Sequence, residues 1–112
     1  MMLIEVSTDN TIEGREKLND YVKGVVDEAM SRFAKRITRV EVHISDVNGH
    51  KSGVNDIRCV MEARLEGRPP IAVTSQETTM DEAVDGAAGK LKRLIESTLS
   101  RESSLAGQRD HR

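Results

Sequence analysis

Aromatic side chains are almost absent from this 112-residue chain: there is no tryptophan, and Tyr21 and Phe33 make up the whole 2 %. The core must be filled by Val, Ile, Leu, Ala and Met. Bases cannot be stacked on an aromatic platform, which argues against an aromatic reader of single strands. Cysteine occurs once, at Cys59. A lone cysteine makes no internal disulfide and suits a reducing compartment. Its place in an alternating apolar run makes it a small core residue rather than a nucleophile or ligand. No apolar run approaches the ~20 residues that span a bilayer. The opening M-M-L-I-E-V-S-T-D lacks the basic-then-apolar pattern of a secretory leader. A cytoplasmic protein without a membrane partner is the expectation. The net charge is only -2, and the length is that of a single domain, able to bury roughly two thirds of its unfolded-chain surface without metals or disulfides.

Catalytic apparatus is missing too. No Gly-rich phosphate loop follows a strand, and there is no Cys-x-x-Cys. The histidines, His43, His50 and His111, are scattered without ligand spacing. The carboxylates Asp81, Glu82 and Asp85 cluster where a helix would start, and capping with dipole stabilisation accounts for them. Nothing assembles a nucleophile, a base and an oxyanion donor. The expectation is a non-enzymatic protein with no cofactor and no metal.

What is present is clean patterning. Residues 2–8 alternate, with Met2, Ile4 and Val6 on one face and Leu3, Glu5 and Ser7 on the other, as a strand does. Ser7–Thr11 offers helix-capping side chains. From about Thr11 to Arg36 the period changes: Leu18, Tyr21, Val22, Val25, Val26, Ala29, Met30 and Phe33 recur at helical steps. Gly24 interrupts this helix, weakening it by up to about 1 kcal/mol while allowing close packing. Alternation returns over 37–46, with Val40, Val42 and Ile44 inward and Arg39, Glu41, His43 and Ser45 outward. Val47–Asn55 is a turn-rich link carrying His50 and Lys51. Residues 56–66 form the next strand, with Ile57, Cys59, Met61, Ala63 and Leu65 inward. Gly67–Pro70 is a turn, since proline cannot donate to a ladder, and a short strand over 71–76 turns Ile71 and Val73 inward.

A second helix follows. Thr79 and Glu82 have the spacing of a capping box. Met80, Ala83, Val84, Ala87, Leu91, Leu94, Ile95 and Thr98 or Leu99 give its stripe, and Gly86 and Gly89 make its first half slim. The tail from Arg101 has no periodicity and is expected to be disordered, leaving residues 1–100 as the one domain and 101–112 as a polar tail. The fold class is therefore α+β, in the order β-α-β-β-β-α: a four-stranded mixed sheet with both helices on one face. The first two strands are parallel through a right-handed crossover, and the last three form an antiparallel meander.

Positive charge gathers at two places: Arg32, Lys35, Arg36 and Arg39 after the first helix, and Lys90, Lys92 and Arg93 in the second. If the helices run in the same sense, these groups converge on one surface suited to phosphates. The alternative is that they are solvated dipole partners.

The run M-D-E-A-V-D-G-A-A-G-K-L-K-R-L carries a resemblance. Ribosome hibernation factors, the translation inhibitors once called sigma-54 modulation proteins, have a second helix reading Asp-Met-Tyr-Ala-Ala-Ile-Asp, a spacer, then Asp-Lys-Leu-x-Arg-Gln-Leu. Met80, Ala83, Val84, Asp85, Lys90, Leu91, Arg93 and Leu94 match it. The segment R-F-A-K-R-I-T-R-V-E-V-H-I is similar to the family's link into a strand, and the resemblance covers about residues 2–100. It implies a short-form member whose fold is similar to a double-stranded-RNA-binding domain. It also implies binding to the small ribosomal subunit and its rRNA near the mRNA and tRNA channel, and inhibition by occupancy under starvation or in stationary phase. The implied contacts are Lys90, Arg93, Lys92, Arg32, Lys35, Arg36 and Arg39. Asp81 stands where the motif has Tyr, Gly89 where it has Asp, and the lysines that usually continue the helix are replaced by I-E-S-T-L-S-R-E-S-S. The competing reading is a protein-interaction module, including a homodimer through the sheet, or a divergent paralogue that has lost ribosome binding.

Overall fold

A computed structural model describes residues 2–9, 15–47 and 56–110, with Arg15 and residues 102–110 as backbone only. The elements are β1 (Leu3–Thr8), α1 (Arg15–Ala29), a single 3-10 turn (Ser31–Phe33), β2 (Ile37–Asp46), β3 (Ile57–Leu65), β4 (Ile71–Glu77) and α2 (Met80–Asp110). The strands lie in the spatial order β1-β2-β3-β4. β1 pairs parallel with β2, and β2, β3 and β4 form the antiparallel meander. The α+β order and the mixed sheet are those the patterning predicts. The helix start near Thr11 and the link at residues 48–55, with His50 and Lys51, lie outside the described residues.

Alternation makes the sheet two-sided. Val40, Val42 and Ile44 of β2 and Ile57, Cys59, Met61, Ala63 and Leu65 of β3 are buried. They meet Leu18, Val22, Val26 and Met30 from α1 and Ala83, Val84, Ala87, Ala88, Leu91 and Ile95 from α2 in one core. Each fully buried Val, Leu or Ile stabilises by ~1.5–3 kcal/mol, so this contact between helices and sheet dominates the fold. Ile37 joins the core although it lies three residues from Val40. A register shift between Ile37 and Arg39 lets Thr38 bulge out, so that Ile37 pairs with Leu65 and Arg39 with Arg64. The Thr38 hydroxyl donates to the Arg64 carbonyl at 3.1 Å.

Three local expectations need correction. The first helix does not run to Arg36: it ends at Ala29, and Phe33 N–H bonds the Met30 carbonyl at 2.9 Å in a tighter turn. That tightening buries both Met30 and Phe33 and still leaves room to enter β2 at Ile37. Tyr21 and Leu94, placed in apolar stripes by their spacing, are 37 % exposed at the stripe borders. Gly24 makes no close approach, because a Cβ there would meet nothing within 4 Å. Close approach belongs instead to Gly86, where a Cβ would lie 2.6 Å from Ser75 Oγ of β4.

α2 starts at the predicted Thr79 cap, with Glu82 reaching back to the Thr79 hydroxyl. Thr79 Oγ1 accepts from Glu82 N–H at 3.2 Å, and Glu82 Oε1 accepts from the Thr79 hydroxyl at 2.9 Å. The helical backbone continues through Arg101 to Asp110, the segment whose lack of periodicity suggested a tail. Core contacts end earlier, at Ile95 and the partly buried Leu99. The continuation follows from local propensity, since Arg, Glu, Leu, Ala and Gln are all tolerated in helices.

Candidate nucleic-acid interface

The two helices run in the same sense. Tyr21 of α1 meets Asp85 of α2. Further along, Val25, Glu28 and Ala29 share a shallow groove of about 320 Å³ with Asp85, Ala88, Gly89 and Lys92. The topology requires this arrangement: α1 carries the chain back to begin β2 parallel to β1, and α2 runs antiparallel to β4. Both C-terminal halves therefore point to one end of the sheet, the end where β2 starts and β3 stops.

The basic residues distribute around that end unevenly. Arg32, Lys35 and Arg36 lie in the connector after α1 and are exposed. The last turn of α1 holds no basic residue, so they are not the helix-dipole partners that a helix to Arg36 would make them. Arg32 stacks over Phe33, its guanidinium 5.8 Å from the ring centroid. On α2, Lys92 lies one or two residues from the other two cations and faces away from them, whereas Lys90 and Arg93 are three apart and share a side. Arg93 is exposed on the outer surface, Lys92 turns toward α1 in the groove, and Lys90 Nζ donates to the Thr74 carbonyl of β4 at 2.9 Å.

Arg39 is elsewhere. Strand alternation after the Thr38 bulge sends it to the open face of the sheet, away from the helices. Its guanidinium holds Glu5 there and lies 3.4 Å from Glu41. Glu5 raises its pKa further, and its Nε is covered with no acceptor among the described residues. Arg64, outside the expected set of contacts, is its cross-strand neighbour. It lies 3.5 Å from Glu41 and 3.4 Å from Glu62. Since Glu5 pairs with Glu41 and Glu41 with Glu62, a row of three carboxylates crosses three strands, bridged by two arginines. The structure thus brings Arg32, Lys35, Arg36, Lys92 and Arg93 to the same end and places Lys90 and Arg39 in other roles. The Thr38 bulge is what sets Arg64 opposite Arg39, since unbroken pairing from Ile37–Leu65 would oppose Arg39 to Ala63.

Acids gather at the starts of both helices, Glu16 and Asp20 on α1 and Asp81, Glu82 and Asp85 on α2, while Asp27 and Glu28 lie at the far end of α1 beside the basic residues. The phenol of Tyr21 is pushed up to about 12, first by its hydrogen bond to Asp85, then by burial and the charges of Asp85 and Asp81. Burial pushes the Cys59 thiol up to about 12 as well. Among the described residues, no three His, Cys, Asp or Glu side chains are grouped to hold a metal, and no helix is long and apolar enough to cross a membrane.

A mixed sheet with a one-sided layer of co-directional helices defines a small α+β domain. The chain belongs to the sigma 54 modulation protein / S30EA ribosomal protein family, whose model matches residues 4–102. Its fold is similar to that of the N-terminal domain of Protein Y from Thermus thermophilus, with a TM-score of 0.69 at 17 % identity, covering 88 % of this chain and 99 % of that one. It is similar also to a ribosomal subunit interface protein from Coxiella burnetii, with a TM-score of 0.66 at 12 % identity, covering 89 % and 99 %. Comparison with curated proteins gives no match.

Proposed function

We propose that this chain associates with the ribosome. It binds the small subunit near the mRNA and tRNA channel and lowers translation or stabilises inactive ribosomes under stress, in the cytoplasm, by occupancy rather than catalysis. The observation that carries this reading is the family match across residues 4–102. The convergence of Arg32, Lys35, Arg36, Lys92 and Arg93 at one end supports it, because rRNA presents phosphates to such a surface.

Gradient sedimentation of cell extract tests it. The protein is expected to travel with ribosomal particles at low salt and detach at high salt. Lys92→Glu with Arg93→Glu is expected to weaken binding and lower the slope of log K against log salt by about one unit per lost phosphate contact. A protein that stays at the top of the gradient at every growth stage overturns the proposal. Unaltered binding by the double variant overturns the assignment of the basic end.

A second reading, a paralogue of the same fold without ribosome binding, is favoured by the engagement of Lys90 with Thr74 and of Arg39 with Glu5 and Glu41. A protein partner that survives nuclease treatment, recovered in place of ribosomes, is its expected signature.

A further inference from the structure

We propose that the outer edge of β1 joins two copies of this chain, antiparallel about a two-fold axis at Val6, fusing two four-stranded sheets into one of eight strands. The two edges of the sheet are unequal. β4 is entered through Pro69 and Pro70, which donate nothing, and Lys90 places a cation on its Thr74 carbonyl. Proline and lysine are the residues with which proteins protect sheet edges. β1 has neither: L-I-E-V-S-T is an unbroken strand without Pro, Gly or Lys. It pairs with β2 alone, and among the described residues no backbone group of β1 is bonded on the far side.

Its side chains are equally unfinished. Val40, Val42 and Ile44 of β2 are buried, whereas Ile4, Val6 and Thr8 beside them on β1 are only half-buried, and Leu3 is 52 % exposed. A further strand beside β1 would cover Ile4 and Val6, and pairing of main-chain groups would supply the directionality.

Charge selects a second copy and its register. Opposed residues on antiparallel strands must share a face. Centring the two-fold at Glu5 sets that carboxylate against itself, which is unfavourable. A centre at Ile4 shifts the pairing toward the chain start, setting Val6 against Met2 and leaving Thr8 without a partner. With the centre at Val6, Ile4 meets Thr8 of the second copy, Glu5 meets its Ser7, and Leu3 meets its Asp9. No like charges are opposed, and each Glu5 carboxylate, already held by Arg39, gains a hydroxyl donor.

The register makes Ser7 the testing position, because it is exposed and its side chain lies outside the core. Sedimentation equilibrium of the full chain from the micromolar to the millimolar range is expected to show a reversible dimer. Ser7→Glu opposes Glu5 at two symmetric places and is expected to raise Kd roughly 2- to 30-fold, while Ser7→Lys is expected to lower it by a similar factor. A mass that stays monomeric throughout overturns the proposal, as does a dimer whose Kd ignores both variants or moves the same way in both. A chain that remains monomeric yet takes up an extended peptide along β1 also overturns it.

Discussion

The hydroxyl of Tyr21 on α1 donates to Asp85 Oδ1 on α2 at 2.8 Å, tying the two helices together across the mouth of their shared groove. The pair is more than a third exposed, so water competes with it. Tyr21→Phe is expected to cost no more than about 1 kcal/mol in urea unfolding. The pH dependence is more specific. This phenol is raised from 10.0 to about 12, so the unfolded chain ionises first. The bond's contribution is fully present below pH 10.0 and is lost as pH rises through about 12. The phenylalanine variant is expected to lack that part of the alkaline decline, and two superimposable profiles would show that the bond does not form in solution.

Cys59 adds to the same alkaline side from inside the sheet. Its thiol is raised from 9.0 to about 12 by burial. The unfolded chain sheds that proton first, and stability is expected to fall as pH rises from 9.0 onward. Near neutral pH, a thiol reagent is expected to label native protein only at the rate of opening and to label urea-unfolded protein at once. Rapid labelling of the native protein would contradict the burial.

Two glycines in helices should respond in opposite directions to the same methyl group. Gly24→Ala meets empty space and is expected to stabilise by roughly 0.5–1 kcal/mol through helix propensity. Gly86→Ala gains the same propensity but drives a Cβ to 2.6 Å from Ser75 Oγ under α2, and is expected to destabilise by about 1 kcal/mol or more. Removing that hydroxyl with Ser75→Ala should recover part of the loss. A double-mutant cycle of thermal midpoints with no coupling would show that α2 does not lie this close to β4.

On the open face, Arg39 and Arg64 hold apart three carboxylates that the strand pairing forces into one row. Removing both arginines is expected to lower the melting temperature more at low salt than at high salt, because repulsion among Glu5, Glu41 and Glu62 is then screened only by ions. A loss that does not depend on salt would mean that the arginines act by packing instead.

The fold was legible because nearly every element obeys one period. β2 and β3 alternate without exception apart from Thr38, and α2 shows its stripe and its Thr79–Glu82 cap in adjacent residues. The end of α1 was not legible: Met30, Phe33 and the basic connector keep a helical spacing, and only the need to reach Ile37 and pair it with Leu65 breaks the helix. The basic surface was half legible. Linear order shows that charge accumulates, but Lys90 and Arg39 take their partners, Thr74 and Glu5, from strands distant in the chain. A bulge and a cross-strand register decide such contacts, and neither has a signature within a few residues.

The parallel pairing of β1 with β2 also sets an order of assembly. β2, β3, β4 and α2 follow one another through short connections, so their contacts close small loops. Joining Leu3 to Arg39 instead closes a loop containing the whole of α1, and the entropy of that closure must be met before any β1 contact forms. β1 is therefore expected to zip on last and to open first, with its amides exchanging hydrogen ahead of those of β3. Equal protection of the two strands would mean that the sheet forms in one concerted step.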